Sequence, residues 1–436
     1  MLYQTNIAEG WTADVIVAGA GPAGICAAVA AARLGMSVIL IERYGAVGGN
    51  LTLGNVSPIL GKVSAGTMYD EIVALLAEKH ENEKKVETRN GNEIHIDAEE
   101  AKGILIRLLD KNGIHVMLQT VVCDVIKKDR VLQGLIVMTP GGLVAVKAKR
   151  IVDATGDGTV AYLAGCSYQI GRQSDGKTQP VTLEFTVEGV DERRAIMCFG
   201  GSDPVTLPDG KKYSDFCKEC EQNGILPKNV SIVRLHRTFY PGERNVNATQ
   251  MNDIDPFDPK ALYEAEVELR GQIEKVISFL CTYVPGYENC RIKTTADTLG
   301  VRETRRITGE YTVCDSDVEE GKRHPDAVVH NAWFLIDIHN PAGGGQAEGH
   351  SKMAKPYDIP YGALVPKNVE NLLIAGRCIS GTHRAHASYR VMAICIATGE
   401  AAGIAAALSI KENVAPRELA PTIVQSELLK KGVNFT

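Results

Sequence analysis

Short apolar runs alternate with helical stretches at the start of the chain, which is typical of a parallel sheet covered by helices. The run VIV at 15–17 is β-branched and suits a buried strand. Residues 25–34 are rich in alanine and contain neither glycine nor proline, which predicts a helix. Residues 37–41 predict a second buried strand, which ends at Glu42. The pattern therefore predicts a βαβ unit over the first part of the chain.

Three glycines stand between the first predicted strand and the helix. Gly19, Gly21 and Gly24 have the spacing G-x-G-x-x-G. The first allows a sharp turn, the second lets a pyrophosphate approach the backbone, and the third allows close packing of helix on strand. Glu42, about 20 residues further on, can accept hydrogen bonds from a ribose hydroxyl, and its charge argues against a 2′-phosphate. Because strand, glycines, helix, second strand and acid agree, we expect a dinucleotide site and not an ordinary βαβ unit.

The pattern beyond Glu42 predicts more of the same domain. A glycine-rich loop at 43–55 follows the second strand and is expected beside the ligand crevice. Further predicted elements are helices at 66–79 and from Asp97 to Leu109, an exposed turn or hairpin at 78–93, and strands at 115–125, 131–138, 143–148 and from 149.

A second motif follows the strand that starts at Lys149. This strand leads into ATGD at 154–157, where small residues bring the backbone close to a bound ligand. Gly156, Gly158 and Ala161 imitate a second fingerprint. The helix after them has room for only about two turns, and no second strand with a terminal acid follows. A second dinucleotide site is therefore rejected.

The composition changes from about Gln179, where loops become longer. This region predicts an inserted domain that covers the first, and the final part of the chain returns to the first domain. Predicted elements are strands at 179–190, 302–313 and 371–375, a long helix at 258–281, and a last helix whose small residues allow close packing against strands. The strand at 302–313 would place Arg302, Thr304 and Arg306 on one face.

The predicted fold class is α/β, with a Rossmann-like domain built on a parallel sheet and an inserted α+β substrate or cap domain. The predicted divisions are residues 1–165 for the first part of the dinucleotide-binding domain, 166–366 for the inserted domain, 367–412 for the final strand and helix, and 413–436 for a tail.

The composition is that of a soluble protein with two or three domains. The 436 residues are 44% apolar and 23% charged, and the net charge of −6 gives no support to nucleic-acid or membrane-surface binding. Eleven cysteines without framework spacing predict reduced thiols. No basic and apolar leader precedes the first strand, and Glu400 within the apolar segment 391–410 predicts a buried helix instead of a membrane span. We therefore expect a cytoplasmic protein.

Three separated motifs together resemble one class of protein. The glycine fingerprint with Glu42, ATGD at 154–157 and LLIAGRCIS at 372–380 resemble FAD-dependent oxidoreductases of the glutathione-reductase-like class with two dinucleotide-binding folds. Within that class, the stretches at 151–166, 299–313 and 371–403 are similar to the bacterial FAD-dependent oxidoreductase family. The resemblance covers nearly the whole chain and is specific for FAD, but not for a substrate.

The resemblance implies a set of FAD-binding residues. A helix start at 390–392 would also stabilise the negative charge that two-electron reduction leaves near flavin N1. The implied residues are Gly19, Gly21, Pro22, Ala23 and Gly24 for the pyrophosphate, Glu42 for the adenosine ribose, Arg43, Gly48 and Gly49 beside the phosphates and flavin, Val122 for the adenine through its backbone, Ala154, Thr155 and Gly156 along the cofactor, Gly376 and Arg377 at the border of the flavin, and Arg390, Val391 and Met392 beneath its pyrimidine edge.

Two departures from the class limit the chemistry that we expect. No redox-active cysteine pair follows Gly48 and Gly49, which argues against disulfide reduction there. No nicotinamide-binding fingerprint occurs in the middle of the chain, so built-in reduction by NAD(P)H is unsupported.

Arginines supply one set of candidates for substrate chemistry. Arg302, with Arg305 and Arg306 beside it and Arg384 and Arg390 further on, can hold a carboxylate or another anion. Structural ion pairing is the alternative, and it is favoured for Arg305.

Histidines supply the second set, because histidine titrates near neutral pH. His339, His383 and His386 are candidates for proton transfer, and Tyr357 and Tyr361 are weaker ones. A hydrogen-bonded structural role is the alternative for each. No metal is expected: the pair Cys217 and Cys220 has no second cysteine or histidine pair at ligand spacing. His324, in a charged stretch, is expected on the solvated surface.

Catalysis is therefore assigned to Arg302, His339 and His383, in an enzyme that binds FAD non-covalently. It would move two electrons, as a hydride, between the flavin and a small organic substrate with an anionic group. The alternatives are a flavin-binding subunit that passes electrons to a partner protein, and a dehydrogenase that uses NAD at the single fingerprint. The electron acceptor or donor and the oligomeric state, a homo-oligomer included, are left open by the sequence.

Overall fold

The computed structural model describes residues 7–78, 86–88, 91–201, 203–343, 345 and 352–435, with the backbone alone for 86–88 and 91–94. Its helices are α1 (Pro22–Arg33), α2 (Met68–Ala77), α3 (Ala98–Lys111), α4 (Thr159–Ala164), α5 (Tyr213–Gln222), α6 (Pro259–Tyr283), α7 (Asp315–Glu320), α8 (His383–Tyr389), α9 (Met392–Lys411) and α10 (Pro421–Lys430). Its strands are β1 (Ala8–Ala18), β2 (Val38–Ile41), β3 (Pro58–Ile59), β4 (Val86–Thr88), β5 (Gly91–His95), β6 (His115–Met117), β7 (Val121–Lys128), β8 (Val131–Thr139), β9 (Gly142–Asp153), β10 (Tyr168–Gln169), β11 (Phe185–Glu188), β12 (Arg234–Arg237), β13 (Arg244–Asn247), β14 (Arg291–Thr295), β15 (Arg306–Ile307), β16 (Ala327–Ala332), β17 (Tyr357–Pro360) and β18 (Leu372–Ile374).

The main sheet has the strand order β6-β2-β1-β9-β8-β7, and β18 pairs with the end of β9. The pairs β1–β2, β2–β6, β1–β9 and β18–β9 are parallel, whereas β7, β8 and β9 form an antiparallel meander. The carboxyl ends of β1, β2, β9 and β18 therefore meet at one edge of the sheet, where an α/β fold binds its ligand. The Rossmann-like fold class predicted from the sequence is confirmed.

Several predicted elements are confirmed close to their predicted bounds. Asp97 caps α3, since its carboxylate accepts the N–H of Glu100 at 2.8 Å. The helix after ATGD is the short α4, and the long helix predicted at 258–281 is α6. In the described part of 78–93, β4 and β5 pair as an antiparallel hairpin. Residues 79–85 and 89–90 of that prediction lie outside the described residues.

In the first part of the chain, two predictions place the boundaries between strands wrongly. The strand predicted at 115–125 is broken into β6 and β7, because Gln119 adopts a φ of 51° in a turn. The strands predicted at 143–148 and from Lys149 are the single strand β9, which pairs with β8 first and with β18 at its end. Lys149 and Arg150 look like a break between two apolar strands in the sequence, but in β9 they lie within the ladder with β1.

Two strand predictions in the later part are wrong in extent. Of 179–190, only Phe185–Glu188 forms a strand. Of 302–313, only Arg306–Ile307 does, so the shared face predicted for three of its side chains does not exist. Only these two residues pair with another strand, β10, because the side chains of Arg302, Thr304 and Arg306 bond to carbonyl groups of separate loops and hold the rest of the segment in an irregular path.

The second sheet is antiparallel, with the order β12-β13-β11-β14. One face belongs to a second apolar core, which includes Phe185 and Leu235 and the buried side of α6. Successive side chains of a strand point to opposite faces, so Thr186 and His236 lie on the other, polar face. This apolar core runs from Val181 to Ala296, whereas apolar residues from 307 to 369 belong to the first core. The predicted inserted domain of 166–366 stays a prediction.

Helix α9 is the central helix of the first core. In the described part of the chain it alone is long and apolar enough to cross a membrane, and 89% of its most apolar window is buried inside the protein. Its close packing, predicted against strands, is closest against α1. A Cβ added at Gly399 would lie 2.0 Å from the carbonyl oxygen of Ala23, and one at Gly403 would lie 2.2 Å from that of Ala27.

Gly403→Ala is expected to lower the free energy of unfolding by about 1–3 kcal/mol, because a methyl group there meets the backbone of α1. Gly271→Ala is the control: its Cβ meets nothing within 4 Å, and alanine is the better helix former by about 0.5–1 kcal/mol, so stability should rise. Urea unfolding followed by circular dichroism measures both. Equal effects of the two substitutions would show that α1 and α9 do not cross at Gly403.

Candidate active site

The glycine fingerprint forms the turn between β1 and α1. Gly19 has a φ of 95°, and a Cβ added there would lie 2.5 Å from the carbonyl oxygen of Ala154. A Cβ at Gly24 would lie 1.7 Å from the carbonyl oxygen of Gly19, so this glycine is required for packing. A Cβ at Gly21 would meet nothing within 4 Å. The turn thus keeps a clear approach to its backbone at the middle glycine, where a pyrophosphate would lie.

Free N–H groups surround that approach. The backbone N–H groups of Gly21, Ala23 and Gly24 make no hydrogen bond within the described part of the protein. Pro22 has no N–H to satisfy, which suits the first position of a helix. The start of α1 therefore offers unpaired donors and the positive end of the helix dipole to an anion.

Glu42 closes the loop beside the fingerprint. Its carboxylate accepts the N–H of Ala20 at 2.7 Å and that of Tyr44 at 2.9 Å, and the residue is 5% exposed. The N–H of Thr120 donates to the carbonyl of Glu42 at 2.8 Å, which brings the start of β7 to this loop. Val122, two residues further on, pairs with Val137 in the sheet. The contacts of Glu42 with ribose and of Val122 with adenine stay predictions.

The ATGD motif is held by the buried carboxylate that precedes it. Asp153 accepts the N–H and the hydroxyl of Thr155, at 3.1 and 2.7 Å, and the N–H of Ala161 at 2.9 Å. Burial raises the pKa of Asp153, and the hydrogen bonds oppose that rise. Asp153 thereby fixes Ala154, Thr155 and Gly156 against the fingerprint turn, a structural role that the sequence analysis did not assign to it.

An ionic bridge joins the second strand, the ATGD motif and the segment after β18. Asp157 pairs with Arg377 at 2.5 Å and with the half-exposed Arg43 at 3.3 Å. Nε of Arg377 also donates to the carbonyl of Gly156 at 3.0 Å. The three sequence motifs therefore meet at one edge of the sheet, although they are more than 100 residues apart in the chain.

Backbone contacts bring the remaining predicted cofactor residues to the same edge. The N–H of Gly48 donates to the carbonyl of Ala20 at 2.7 Å, and a Cβ added at Gly49 would lie 3.1 Å from Cα of Gly21. A Cβ added at Gly376 would lie 3.0 Å from Cβ of Ala23. Glycine is required at these places because two loops pass within van der Waals distance of the fingerprint.

The start of α9 is a second place with free donors. Val391 is the N-cap, and the N–H of Ala393 donates to the carbonyl of Leu60 at 3.2 Å. The N–H groups of Met392 and Ile394 make no hydrogen bond within the described residues. The predicted helix start beneath the flavin is thus a helix N-terminus with two unpaired donors, as an anionic flavin edge would require.

Six charged or titratable residues gather next to this helix start, and we call them the charged cluster. Nη2 of Arg390 donates to the backbone oxygen of Asp337 at 3.0 Å and lies 3.3 Å from its carboxylate. Nε2 of His339 lies 3.3 Å from the same carboxylate, and Arg302 donates to the carbonyl of Pro180 at 2.8 Å. The members are Glu184, Arg234, Arg302, Asp337, His339 and Arg390, linked by charge–charge interactions.

The charged cluster has an excess of positive charge at neutral pH. Burial, followed by the charge of Arg302, lowers the pKa of His339 to about 3, so this histidine is neutral. Burial and the nearby Arg390 lower the pKa of Arg302 to about 9, which still leaves it charged. Burial opposes the charge of Asp337, but the hydrogen bond with His339 and the charge of Arg390 hold its pKa well below its usual value. Three guanidinium groups therefore face one charged carboxylate and Glu184.

A chain of hydrogen bonds connects the predicted catalytic histidines. Nδ1 of His383 lies 2.9 Å from the carboxylate of the fully buried Glu303. That carboxylate also accepts the backbone N–H of Gln179 at 3.2 Å, and the side-chain oxygen of Gln179 accepts the backbone N–H of His339 at 3.2 Å. The sequence analysis missed Glu303 and Gln179. For Glu303 a signal existed, since an acid in the run VRETRR has arginines on both sides.

Other candidates have structural partners. Arg305 lies 3.9 Å from the ring centroids of Tyr162 and Phe257, as expected for the structural alternative. Tyr357 donates to Ser388 at 3.1 Å, and Tyr361 donates to the carbonyl of Pro416 at 2.7 Å. Both tyrosines are buried and bonded inside the first core.

The remaining histidine and cysteine candidates are buried as well. His386 is fully buried and meets Tyr389 edge-on at 5.4 Å. Cys217 and Cys220 are buried on α5, and the described residues contain no group of three or more metal-ligating side chains. The surface position predicted for His324 is wrong, because its ring packs edge-on against Tyr311 at 4.9 Å and its side chain is 7% exposed.

Fold and site together define a dinucleotide-binding α/β protein with a charged cluster beside its cofactor edge. A family model described as FAD dependent oxidoreductase matches residues 14–428, and the chain belongs to this family. Its cofactor is FAD, and the glycine turn, the clear approach at Gly21 and the free donors of α1 and α9 fit that cofactor. The family resemblance stated from the sequence is confirmed.

Individual relatives are more distant. A thiamine thiazole synthase of Aeropyrum pernix is 35% identical over 72 residues, which are 16% of this chain and 27% of that protein. The match thus spans about a quarter of that relative. A solved geranylgeranyl bacteriochlorophyll reductase-like protein of Thermoplasma acidophilum is 15% identical with a TM-score of 0.49, covering 97% of this chain and 84% of that one. The anhydrotetracycline hydroxylase of Streptomyces rimosus is 12% identical with a TM-score of 0.49, covering 96% and 66%.

Glu42→Ala is expected to weaken FAD binding by about 10- to 100-fold, because charged hydrogen bonds are worth about 1.5–3 kcal/mol each. The measurement is the dissociation constant of FAD from fluorescence quenching during reconstitution of the apoprotein. Glu9→Ala, at an exposed position of β1, is the control and should bind FAD like the wild type. A Glu42→Ala variant that retains FAD as firmly as wild type would show that the ribose lies elsewhere.

Proposed function

We propose that this oxidoreductase transfers two electrons, as a hydride, between non-covalently bound FAD and a small organic substrate that carries a carboxylate. The observation that supports the proposal is the excess of positive charge in the charged cluster, next to the free N–H groups at the start of α9. An arginine fork matches a carboxylate in charge and geometry. The guanidinium of Arg302 donates to one carbonyl and, among the described residues, has no carboxylate within hydrogen-bond distance.

The polar face of the second sheet is fixed onto the loop that follows the two glycines at 48 and 49. The side-chain N–H of Asn55 donates to Thr186 at 3.2 Å, and that of Asn245 donates to the carbonyl of Asn55 at 2.9 Å. In the proposed function, this face would form one wall of the substrate region. A small substrate between the sheet and the cofactor edge would be shielded from water, which strengthens its electrostatic contacts.

The residues of the charged cluster would have different roles in the reaction. FAD, when bound, supplies a two-electron acceptor or donor. Arg302 would hold the substrate carboxylate, and Asp337 would keep Arg390 and His339 in place through the contacts described above. His339, being neutral, would act as a hydrogen-bond partner and not as a permanent positive charge.

Anaerobic reduction of the bound flavin tests the proposal. The FAD-loaded protein is mixed with hydroxy acids, amino acids, and the amides or esters of the same acids, and the loss of the oxidised flavin band is recorded. We expect bleaching by one class of acids and at least 100-fold slower bleaching by its neutral analogues. Equal rates for acids and amides would refute the carboxylate requirement. Reduction only through a second protein would instead support an electron-transfer subunit.

A further inference from the structure

One largely buried carboxylate of the charged cluster has no hydrogen-bond partner among the residues that the structure describes. Glu184 immediately precedes β11 and is 5% exposed. Its backbone oxygen accepts the N–H of Ala296 at 2.8 Å, but its carboxylate makes no hydrogen bond or ion pair within the described residues. Because Phe185 points into the second apolar core, Glu184 points to the opposite, polar face of the sheet. A buried carboxylate without a partner is costly, so a role in binding or proton transfer is expected.

Basic side chains face Glu184 from two directions. Arg234 and His236 come from β12 on the same sheet, and Arg302 comes from the segment before β15. Asp337, His339 and Arg390, the other members of the cluster, interact electrostatically with Arg302. Burial raises the pKa of Glu184 to about 7, although the nearby His236 and the two arginines oppose that rise. Both forms of the carboxyl are therefore populated at neutral pH, as proton transfer requires.

We propose that Glu184 exchanges the proton of the substrate's hydroxyl group, and that the substrate is a 2-hydroxy acid. This inference rests on the proposed function and narrows it. The arginines would hold the carboxylate and leave the hydroxyl on the next carbon towards Glu184. An amino acid would bring an ammonium group among three guanidinium groups, where like charges repel.

The step balances in atoms and electrons. In oxidation the O–H proton would go to the carboxylate of Glu184 and the carbon–oxygen double bond of a 2-oxo acid would form, while FAD, when bound, would supply the acceptor for the C–H hydrogen and its electron pair. In reduction the protonated Glu184 returns the proton to the alkoxide oxygen as hydride reaches the carbon.

Proton uptake on binding of a non-oxidisable acid tests the role of Glu184 without turnover. Oxalate is titrated calorimetrically into the FAD-loaded protein at pH 8 in two buffers of different ionisation enthalpy. Wild type is expected to take up nearly one proton, because two adjacent carboxylates share one. Glu184→Gln should bind oxalate with almost no uptake. Glu188→Gln, at the end of the strand that Glu184 precedes, is the matched control: Glu188 pairs with the exposed Arg291, and the variant should take up protons like wild type.

Flavin reduction by glycolate, lactate and malate gives the second readout. With saturating acid, the wild-type rate should rise with pH through about 7, because the acceptor must be deprotonated. Glu184→Gln should lower the rate by about 10²- to 10⁴-fold and lose this pH dependence. Reduction by 2-amino acids alone, or a Glu184→Gln variant with the wild-type rate and proton uptake, overturns the inference.

The two proposals fail in different ways. If no acid reduces the flavin and oxalate does not bind, the proposed function fails. If acids bind and react but Glu184→Gln behaves like wild type, only the role of Glu184 fails. Should Glu184→Gln not retain FAD, Glu184→Asp keeps a carboxyl and is expected to keep the proton uptake at a lower reaction rate. Loss of the uptake in a folded Glu184→Asp variant also overturns the inference.

Discussion

Gly21→Ala should fold with wild-type stability and fail to hold FAD, whereas Gly24→Ala should be unstable even without cofactor. Gly21 has an ordinary φ of −74°, and its added Cβ meets no protein atom within 4 Å, so the apoprotein has no reason to lose stability. The same methyl group occupies the approach of the pyrophosphate to the backbone N–H groups of α1. Losing two charge-assisted hydrogen bonds there should weaken FAD binding by about 100-fold or more.

Gly24 has the opposite role, although it belongs to the same fingerprint. Its Cβ would lie 1.7 Å from the carbonyl oxygen of Gly19, and neither backbone can move without displacing β1 or α1. We expect a loss of about 3 kcal/mol or more in the free energy of unfolding. Urea unfolding of both apoproteins and FAD titration of the folded ones separate the effects. If Gly21→Ala binds FAD normally, the pyrophosphate does not pass that glycine.

The sequence was sufficient for elements whose signals are local. The strand–glycine–helix–strand unit, the Asp97 cap and the apolar stripe of α6 each depend on residues within one turn or a few residues of one another. These local signals also placed the glycines and the helix start at 391. The convergence of these motifs at one edge was therefore predictable, because they end strands of a parallel sheet and such ends meet at the same edge.

The substrate side was predictable only in part, because it is built from contacts between distant residues. Arg302, His339 and Arg390 were identified as chemical candidates, but no periodic pattern places Asp337 between them. Glu184 lies in a stretch with ordinary strand alternation, TLEFTVE, where a polar residue looks like a solvent-facing position. It is 5% exposed because other parts of the chain cover the polar face of the second sheet, and the alternation along a strand does not report what covers either face.

The residues that link the two histidines were hidden for a related reason. Gln179 and Glu303 are 124 residues apart and meet through one backbone N–H. Their bond is possible only because the segment after Val301 leaves the strand geometry predicted for it. Because residues 302–313 were predicted to form a regular strand, Glu303 was overlooked. The segment is irregular, and Glu303 is fully buried.

Arg302→Met should weaken the binding of a carboxylate substrate by about 10- to 150-fold while FAD content stays at the wild-type level. The reason is the loss of a charged hydrogen bond worth about 1.5–3 kcal/mol to an anion. Stability should change little, because removal of the charge relieves repulsion from Arg390 and offsets the lost bond to Pro180. The measurements are oxalate affinity by calorimetry and the concentration of acid that half-saturates flavin reduction.

Arg305→Met is the matched control three residues along the same segment. Arg305 is held by two aromatic rings and by the carbonyl of Asp157, so its loss should reduce the free energy of unfolding by about 1 kcal/mol and leave oxalate affinity unchanged. Opposite outcomes, with affinity lost at Arg305 and retained at Arg302, would move the anion site to the other side of this segment. If the expected results are obtained, the positive charge of Arg302 contributes to substrate binding, whereas that of Arg305 contributes to the stability of the fold.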